Sequence, residues 1–227
     1  MLFRSALEAS AGERVLEIGC GWGGFAQAAA LRGAHVTGIT LSRQQLAYAR
    51  QRLADAGLAD RTDIGFLDYR DVAGQFDRIA SIEMVEAVGE ENWPAYFQVL
   101  HDRLRPGGTA VLQAITIDER HFAAYRREPD FIQRYIFPGG MLPTAGAMAR
   151  EADRAGLSFE TVHRFGGNYA RTLALWRDSF DANWPRIAAQ GFDDRFRRMW
   201  GYYLTYCEAG FEHGEIDVGL YRLRRAG

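Results

Sequence analysis

From residue 14 onward, short apolar runs alternate with amphipathic stretches, the pattern of a doubly wound α/β fold. Residues 15–18 read as a first strand, 23–31 as a helix and 35–39 as a second strand of alternating character. Ser42 then stands as an N-cap ahead of Leu46, Ala49 and Leu53 at helical spacing, and Gly57 marks the stop. Residues 64–67 and 76–82 predict strands three and four. Residues 92–104 predict a helix with Trp93, Tyr96, Phe97 and Leu100 on its inner face, and the turn Arg105-Pro106-Gly107-Gly108 leads into a fifth strand through Ile115.

The alternation then breaks. Residues 118–140 hold no clean strand but set Phe122, Tyr125, Phe131, Tyr135 and Phe137 among Arg126, Arg127 and Arg134, the character of an insertion. A helix over 144–155, a strand over 157–163, two long helical stretches over 171–210 and a last strand over 215–224 complete the pattern. The expectation is one α/β domain over 1–227, built on a mostly parallel seven-stranded sheet, with helical, aromatic-rich substrate-side insertions at 118–143 and 168–213. Trp176, Trp184, Phe192, Phe196, Trp200, Tyr202, Tyr203 and Tyr206 in the late helices are first of all packing residues, some of which could line a pocket.

Composition changes this picture little. Twenty-seven basic residues against 29 acidic ones, a formal charge of -2, exclude a global field for nucleic acid or an anionic membrane. Two cysteines, Cys20 and Cys207, are too few for a disulfide framework and fit a reducing, cytoplasmic setting. No apolar run approaches the ~18 residues of a membrane span, so lipid contact would be peripheral. The five histidines lack metal-ligand spacing, and no metal is expected.

The chemistry begins at Glu17-Ile18-Gly19-Cys20-Gly21-Trp22-Gly23-Gly24, a strand-to-helix loop where glycines let backbone approach a ligand closely. Gly19, Gly21 and Gly24 also satisfy the dinucleotide fingerprint. A dinucleotide site, however, calls for an acid about 20 positions on to hold the ribose diol, and residues 38–54 contain no Asp or Glu; Thr40 and Gln45 stand there. Glu17 suits a cationic amino group and is awkward beside pyrophosphate. Asp68-Tyr69-Arg70 after the third strand could accept from an adenine amine and stack on the base. Together these point to S-adenosylmethionine, against the plainer possibility that Glu17 orders the loop and Asp68 caps a turn.

GCGWGG, the stretch from Thr40 through Gln45, DYRD at 68–71, MVEAVG at 84–89, YIFPGGMLP at 135–143 and FGGNY at 165–169 occur together, and with them the chain resembles the cyclopropane-fatty-acyl-phospholipid synthase family, which includes the mycolic acid cyclopropane synthases, over residues 13–221. The resemblance implies that the glycine loop (Glu17, Gly19, Cys20, Gly21, Gly23) binds the methionine part of S-adenosylmethionine and that Thr40 and Gln45 bind its ribose. Leu41, Asp68, Tyr69, Arg70 and Ile82 complete the cofactor set. It further implies transfer of a methylene or methyl group to the cis double bond of unsaturated phospholipid acyl chains, with a bound bicarbonate removing a proton. Glu86, Gln113, Ile115 through its backbone N–H, and Tyr169 would hold that bicarbonate.

The chain departs from the family at Gln113, where histidine is common; an amide donates a hydrogen bond but is no acid or base near neutral pH. Methylation without ring closure is the second enzymatic expectation. Family members also carry a segment before the first strand, with a bicarbonate-holding Cys and lid helices, that is not found here. The expectation is a cofactor and substrate core of a longer enzyme, with a non-catalytic cofactor-binding remnant as the alternative. The implied setting is the cytoplasm, peripheral to the inner face of the membrane, and the oligomeric state, a homodimer among the options, is open. Arg126, Arg127 and Arg134 near Phe131 and Tyr135 are the candidate lipid contact, or simply a solvated face.

Overall fold

The computed structural model describes residues 2–227. Strands β1 (Arg14–Ile18), β2 (His35–Thr40), β3 (Thr62–Phe66), β4 (Phe76–Ile82), β5 (Leu104–Ile117), β6 (Leu157–Arg164) and β7 (Ile216–Arg225) form one sheet in the order β3-β2-β1-β4-β5-β7-β6. The pairs among β1 to β5 are parallel, and β7 runs antiparallel to both β5 and β6. This is the mostly parallel, seven-stranded architecture that the alternation predicts. Chain order reverses between β1 and β4, and at such a switch point the carboxyl ends of the strands open a crevice for ligand.

The helices follow their apolar spacing. Helix α2 (Gly24–Ala30) turns Ala26, Ala29 and Ala30 onto the sheet, small residues that let it lie close. Helix α3 (Arg43–Asp55) starts at Ser42, whose hydroxyl accepts from the Gln45 N–H at 3.2 Å, and Gly57 beyond its end has φ +68°. Helix α4 (Trp93–Arg103) buries Trp93, Tyr96, Phe97 and Leu100, the four residues assigned to its inner face. Tyr96 carries its hydroxyl into that core and donates it to Ser81 Oγ at 2.7 Å, satisfying a group that is costly to bury alone.

Three features differ from the expectation. Arg105-Pro106-Gly107-Gly108 does not end an element: β5 begins at Leu104, pairs there with Phe76, and resumes its register at Thr109 opposite Arg78, so these residues form a bulge inside the strand. The late helical region starts earlier than residue 171 and forms three helices, α7 (Gly166–Ala182), α8 (Trp184–Ala188) and α9 (Asp194–Glu212). Two glycines disguise the start of α7. A Cβ at Gly166 would come within 2.5 Å of Asp217 Oδ1, which accepts the Gly166 N–H at 2.9 Å and so anchors the helix end to β7. Within 118–140 the chain forms α5 (Glu119–Tyr125) and a π-helical turn, Ile132–Ile136; helix α6 (Ala145–Arg154) follows.

The third difference is a short helix α1, Leu2–Leu7, which the pattern did not signal. It packs against β4, β5 and β7 and sets Ala6 and fully buried Leu7 into the core shared with Val15, Ala80, Val111 and Leu220. Leu7→Ala should therefore cost about 2–4 kcal/mol of unfolding free energy, as a core truncation does. Chemical denaturation checks this, and a loss within the ±0.5 kcal/mol of a surface site would show that α1 does not dock.

Candidate functional site

Strand β1 ends in Glu17-Ile18, and the chain crosses to α2 through the glycine loop. Gly19, Gly21 and Gly23 have φ of +77°, +52° and +78°, a region costly for side-chain-bearing residues. Two of them also make close contacts: a Cβ at Gly19 would meet Met84 Cγ at 3.3 Å and one at Gly23 would meet Ala49 at 3.1 Å. Gly21 has open space at that position. The loop is held to β2 by the Gly19 and Cys20 N–H groups, which donate to the Ile39 carbonyl at 3.1 and 2.9 Å. Cys20 is buried and free, and burial together with neighbouring Glu17 pushes its thiol up to about 12, so it remains a thiol.

Glu17 is 3% exposed and its Oε2 has no hydrogen-bond partner. Burial raises its carboxyl to about 8, relieved only in part by the Ala26 backbone N–H. An orphaned carboxyl beneath a glycine loop fits a ligand that brings a cation and a hydrogen-bond donor.

On the next strand, buried Thr40 donates its hydroxyl to Gln45 Oε1 at 2.8 Å and accepts the Ser42 N–H at 3.1 Å. That pairing orients the Gln45 amide with its NH2 as the remaining donor. Leu41 beside it is exposed. Past β3, Asp68 is held in a two-pronged pair with Arg70, Nε to Oδ1 and Nη2 to Oδ2 both at 2.8 Å, which keeps its carboxyl below the usual range. Tyr69 does not offer its ring as expected. It lies 8% exposed, edge-on to Tyr96 at 5.4 Å, so stacking on a base there is excluded by its packing into the core. Exposed aromatics near the glycine loop and α3 include Trp22 and Tyr48, edge to face at 5.3 Å, which sequence reasoning passed over.

The residues assigned to the chemical step do come together, around a partner that was missed. Gln113 near the end of β5 and Tyr169 in the first turn of α7 both reach Glu83, the residue immediately after Ile82 at the end of β4. Glu83 Oε1 accepts from the Gln113 amide at 2.9 Å and from the Tyr169 hydroxyl at 2.5 Å, while Gln113 also donates to the Tyr169 oxygen at 2.8 Å. Glu83 has φ +51°, strained for a side-chain-bearing residue, and its own N–H donates to the Gln113 carbonyl at 2.8 Å. Glu86 lies nearby in a single turn (Val85–Ala87), its Oε1 accepting the Ile115 N–H at 2.5 Å and its Oε2 buried without a partner. Burial raises Glu86 to about 7, and the charge of Glu83 adds to the rise. Burial and the same two carboxylates raise the Tyr169 hydroxyl as well.

The donors expected to hold a bicarbonate are therefore engaged elsewhere: Gln113 and Tyr169 on Glu83, and the Ile115 N–H on Glu86. A further anion would have to displace a carboxylate and sit beside two, an unfavourable field. This donor set does not fit bicarbonate. The signal for Glu83 was a position, an acid directly past a central strand at the switch point, and MVEAVG drew attention past it to Glu86.

The insertion closes one side. The Met141 N–H donates to the Glu86 carbonyl at 2.8 Å, tying the Gly139-Gly140 turn to the carboxylate cluster. Phe131 packs on Tyr202 of α9 at 4.6 Å and Phe137 on Tyr203 at 6.2 Å, while Tyr135, Phe137 and Tyr202 remain more than half exposed. The Tyr206 hydroxyl donates to Asp130 at 3.0 Å, joining α9 to the segment before the π-helical turn. Of the arginines considered for lipid contact, Arg126 is paired with Glu90 at 2.8 Å beside a surface depression of about 480 Å³. Among the described residues no cluster suits a metal ion, and no helix is long and apolar enough to cross a membrane.

Comparison with known proteins agrees with this layout. Residues 2–220 match the family described as mycolic acid cyclopropane synthetase. Tuberculostearic acid methyltransferase UfaA1 of Mycobacterium tuberculosis is 46% identical over 217 residues, 95% of this chain and 51% of that protein. The cyclopropane-fatty-acyl-phospholipid synthase of Escherichia coli is 37% identical over 215 residues, 93% of this chain and 53% of its own length. The chain thus spans about half the length of these relatives. Among solved structures, mycolic acid cyclopropane synthase CmaA1 complexed with SAH and CTAB superposes with a TM-score of 0.89 at 28% identity, covering 99% of this chain and 82% of that one. With the family match over nearly its whole length, the chain belongs to the mycolic acid cyclopropane synthetase family and has its Rossmann-like methyltransferase fold.

Proposed function

We propose that this chain is an S-adenosylmethionine-dependent C-methyltransferase acting on the cis double bond of unsaturated phospholipid acyl chains. The observation that carries the reading is Glu17, a buried carboxyl with one oxygen left unpartnered under a glycine loop at the switch point of the sheet. Its charge suits the amino group of the cofactor, the open face of Gly21 admits the methionine part, and Thr40 with Gln45 supplies hydroxyl and amide groups for a ribose diol. Such a cofactor supplies an electrophilic methyl on a sulfonium. Asp68 and Arg70 frame the adenine end through polar atoms, with Leu41 and Ile82 as apolar flanks. Residues 118–143 and 168–213 form the substrate side, where Tyr135, Phe137 and Tyr202 give an acyl chain an apolar wall.

Cyclopropane formation and methylation without ring closure share this machinery. The second is favoured by one observation, Gln113 in place of an acid or base, and agrees with the activity printed for the relative of Mycobacterium tuberculosis. The site works at a membrane surface from the cytoplasmic side, with the exposed aromatics of the wall meeting lipid.

Three outcomes follow. Expression in a bacterium lacking its own synthase, with fatty-acid methyl ester analysis, should reveal cyclopropane or methyl-branched chains, isomers told apart by the high-field ring protons or the vinylic protons in 1H NMR; unmodified chains would contradict the reading. Glu86→Gln should lower turnover by roughly 10²-fold and leave cofactor affinity within about two-fold, since Glu86 belongs to the carboxylate cluster. An equal loss of both would remove it from that role.

The third concerns pH. Glu17 and Glu86 carry folded pKa values, about 8 and about 7, above the ordinary carboxylate value of about 4.3. The folded protein therefore binds more protons than the unfolded chain, and stability declines as pH rises from about 5 to 8.5, on the order of 2–5 kcal/mol in the ligand-free protein. Denaturation at a series of pH values should show the decline, and Glu17→Gln should flatten it while weakening cofactor binding.

A further inference from the structure

The donors expected to hold a bicarbonate already have an anion, and it is a side chain. Gln113 Nε2 and Tyr169 Oη converge on Glu83 Oε1 at 2.9 and 2.5 Å, while the Ile115 N–H is taken by Glu86. Glu83 Oε2 takes neither of these bonds. The backbone is held at φ +51° to bring the carboxylate there, and strain of this kind costs on the order of 1–3 kcal/mol and clusters at functional sites. The next residue, Met84, lies against Gly19 of the glycine loop, and the Glu83 charge acts on the hydroxyl of Tyr203, whose ring packs on Phe137 of the aromatic wall.

Resting on the methyltransferase reading above, we propose that Glu83 is the catalytic base of this enzyme, a built-in carboxylate that makes a bound bicarbonate unnecessary. The electron pair of the alkene forms the new C–C bond to the sulfonium methyl, and the C–S pair leaves with sulfur. The resulting cation on the acyl chain then loses a proton from the new methyl group to Glu83 Oε2. The C–H pair closes a three-membered ring, or, when a neighbouring C–H is the one broken, forms a double bond beside the branch. Either product is neutral and needs no further reactant. Gln113 and Tyr169 aim the carboxylate through Oε1, while the neighbouring Glu86, its carboxyl raised by burial, is held apart on the Ile115 N–H.

The test has two independent arms. In carbonate-free buffer, titration of the whole chain with 13C-bicarbonate followed by NMR should show no saturable binding. Glu83→Gly, whose backbone tolerates the positive φ, should acquire it once Gln113 and Tyr169 are released, with the fold verified by circular dichroism. Saturable binding to the unaltered protein, or none to folded Glu83→Gly, overturns the proposal whether or not lipid turnover is detected. On unsaturated phospholipid vesicles, turnover should be insensitive to added bicarbonate. Glu83→Gln should reduce it on the order of 10²-fold with cofactor affinity unchanged, and Glu83→Asp should retain part of it. Wild-type turnover in Glu83→Gln, or stimulation of the unaltered protein by bicarbonate, overturns it. Absence of any turnover in the unaltered chain overturns the lipid reading instead and leaves the binding arm to decide the role of Glu83.

Discussion

Buried carboxyl groups with an unpartnered oxygen, at the carboxyl ends of β1 and β4, are the constraint around which the cleft is built. Glu17 and Glu86 each carry an oxygen that is sealed from solvent and has no partner in the protein. Burying such groups is unfavourable unless a proton or an opposite charge arrives, so the fold holds them in a state that a cationic ligand relieves. The sheet supplies the rigidity. β1 is buried over four of its five residues and sits between β2 and β4, which leaves its last residues little freedom to move toward water.

The two carboxylate centres face different tasks. Glu17 lies beneath a loop whose positive-φ glycines bring backbone close to a ligand, and its surroundings offer a single easing N–H. Glu83 and Glu86 lie across the cleft in a network of hydrogen bonds to Gln113, Tyr169 and Ile115. One of this pair is accessible and well bonded, the other buried and raised in pKa, a division that assigns unlike roles to like side chains. The turn after the π-helical segment, fastened to the Glu86 carbonyl through Met141, links the placement of these groups to the aromatic wall.

Much of this was legible in the amino-acid order, for physical reasons. Strands buried on both faces leave continuous apolar runs, and α4 states its buried face in the spacing of Trp93, Tyr96, Phe97 and Leu100. The glycine loop and the missing ribose acid located the cofactor end. Side-chain direction was less visible. Tyr69 has a neighbour, Tyr96, that draws it inward, and nothing local to DYRD announces a partner 27 residues away. Glu83 escaped notice because its importance arises from residues on β5 and α7 that only the folded sheet brings near. Helix α1 is too short for a periodic signal, and α7 begins on two glycines whose helical state depends on Asp217 far along the chain.

The central claim, that the orphaned Glu17 carboxyl is the anchor for a cationic cofactor, is most directly tested by calorimetry of S-adenosylmethionine binding at pH 7 in two buffers of different ionisation heat. Glu17, with its carboxyl raised to about 8, holds a proton in the free protein and gives it up when the ammonium group arrives. Binding accompanied by proton release, with the release abolished in Glu17→Gln, is the predicted result. Binding with no proton exchange, or with the same exchange in Glu17→Gln, would contradict it.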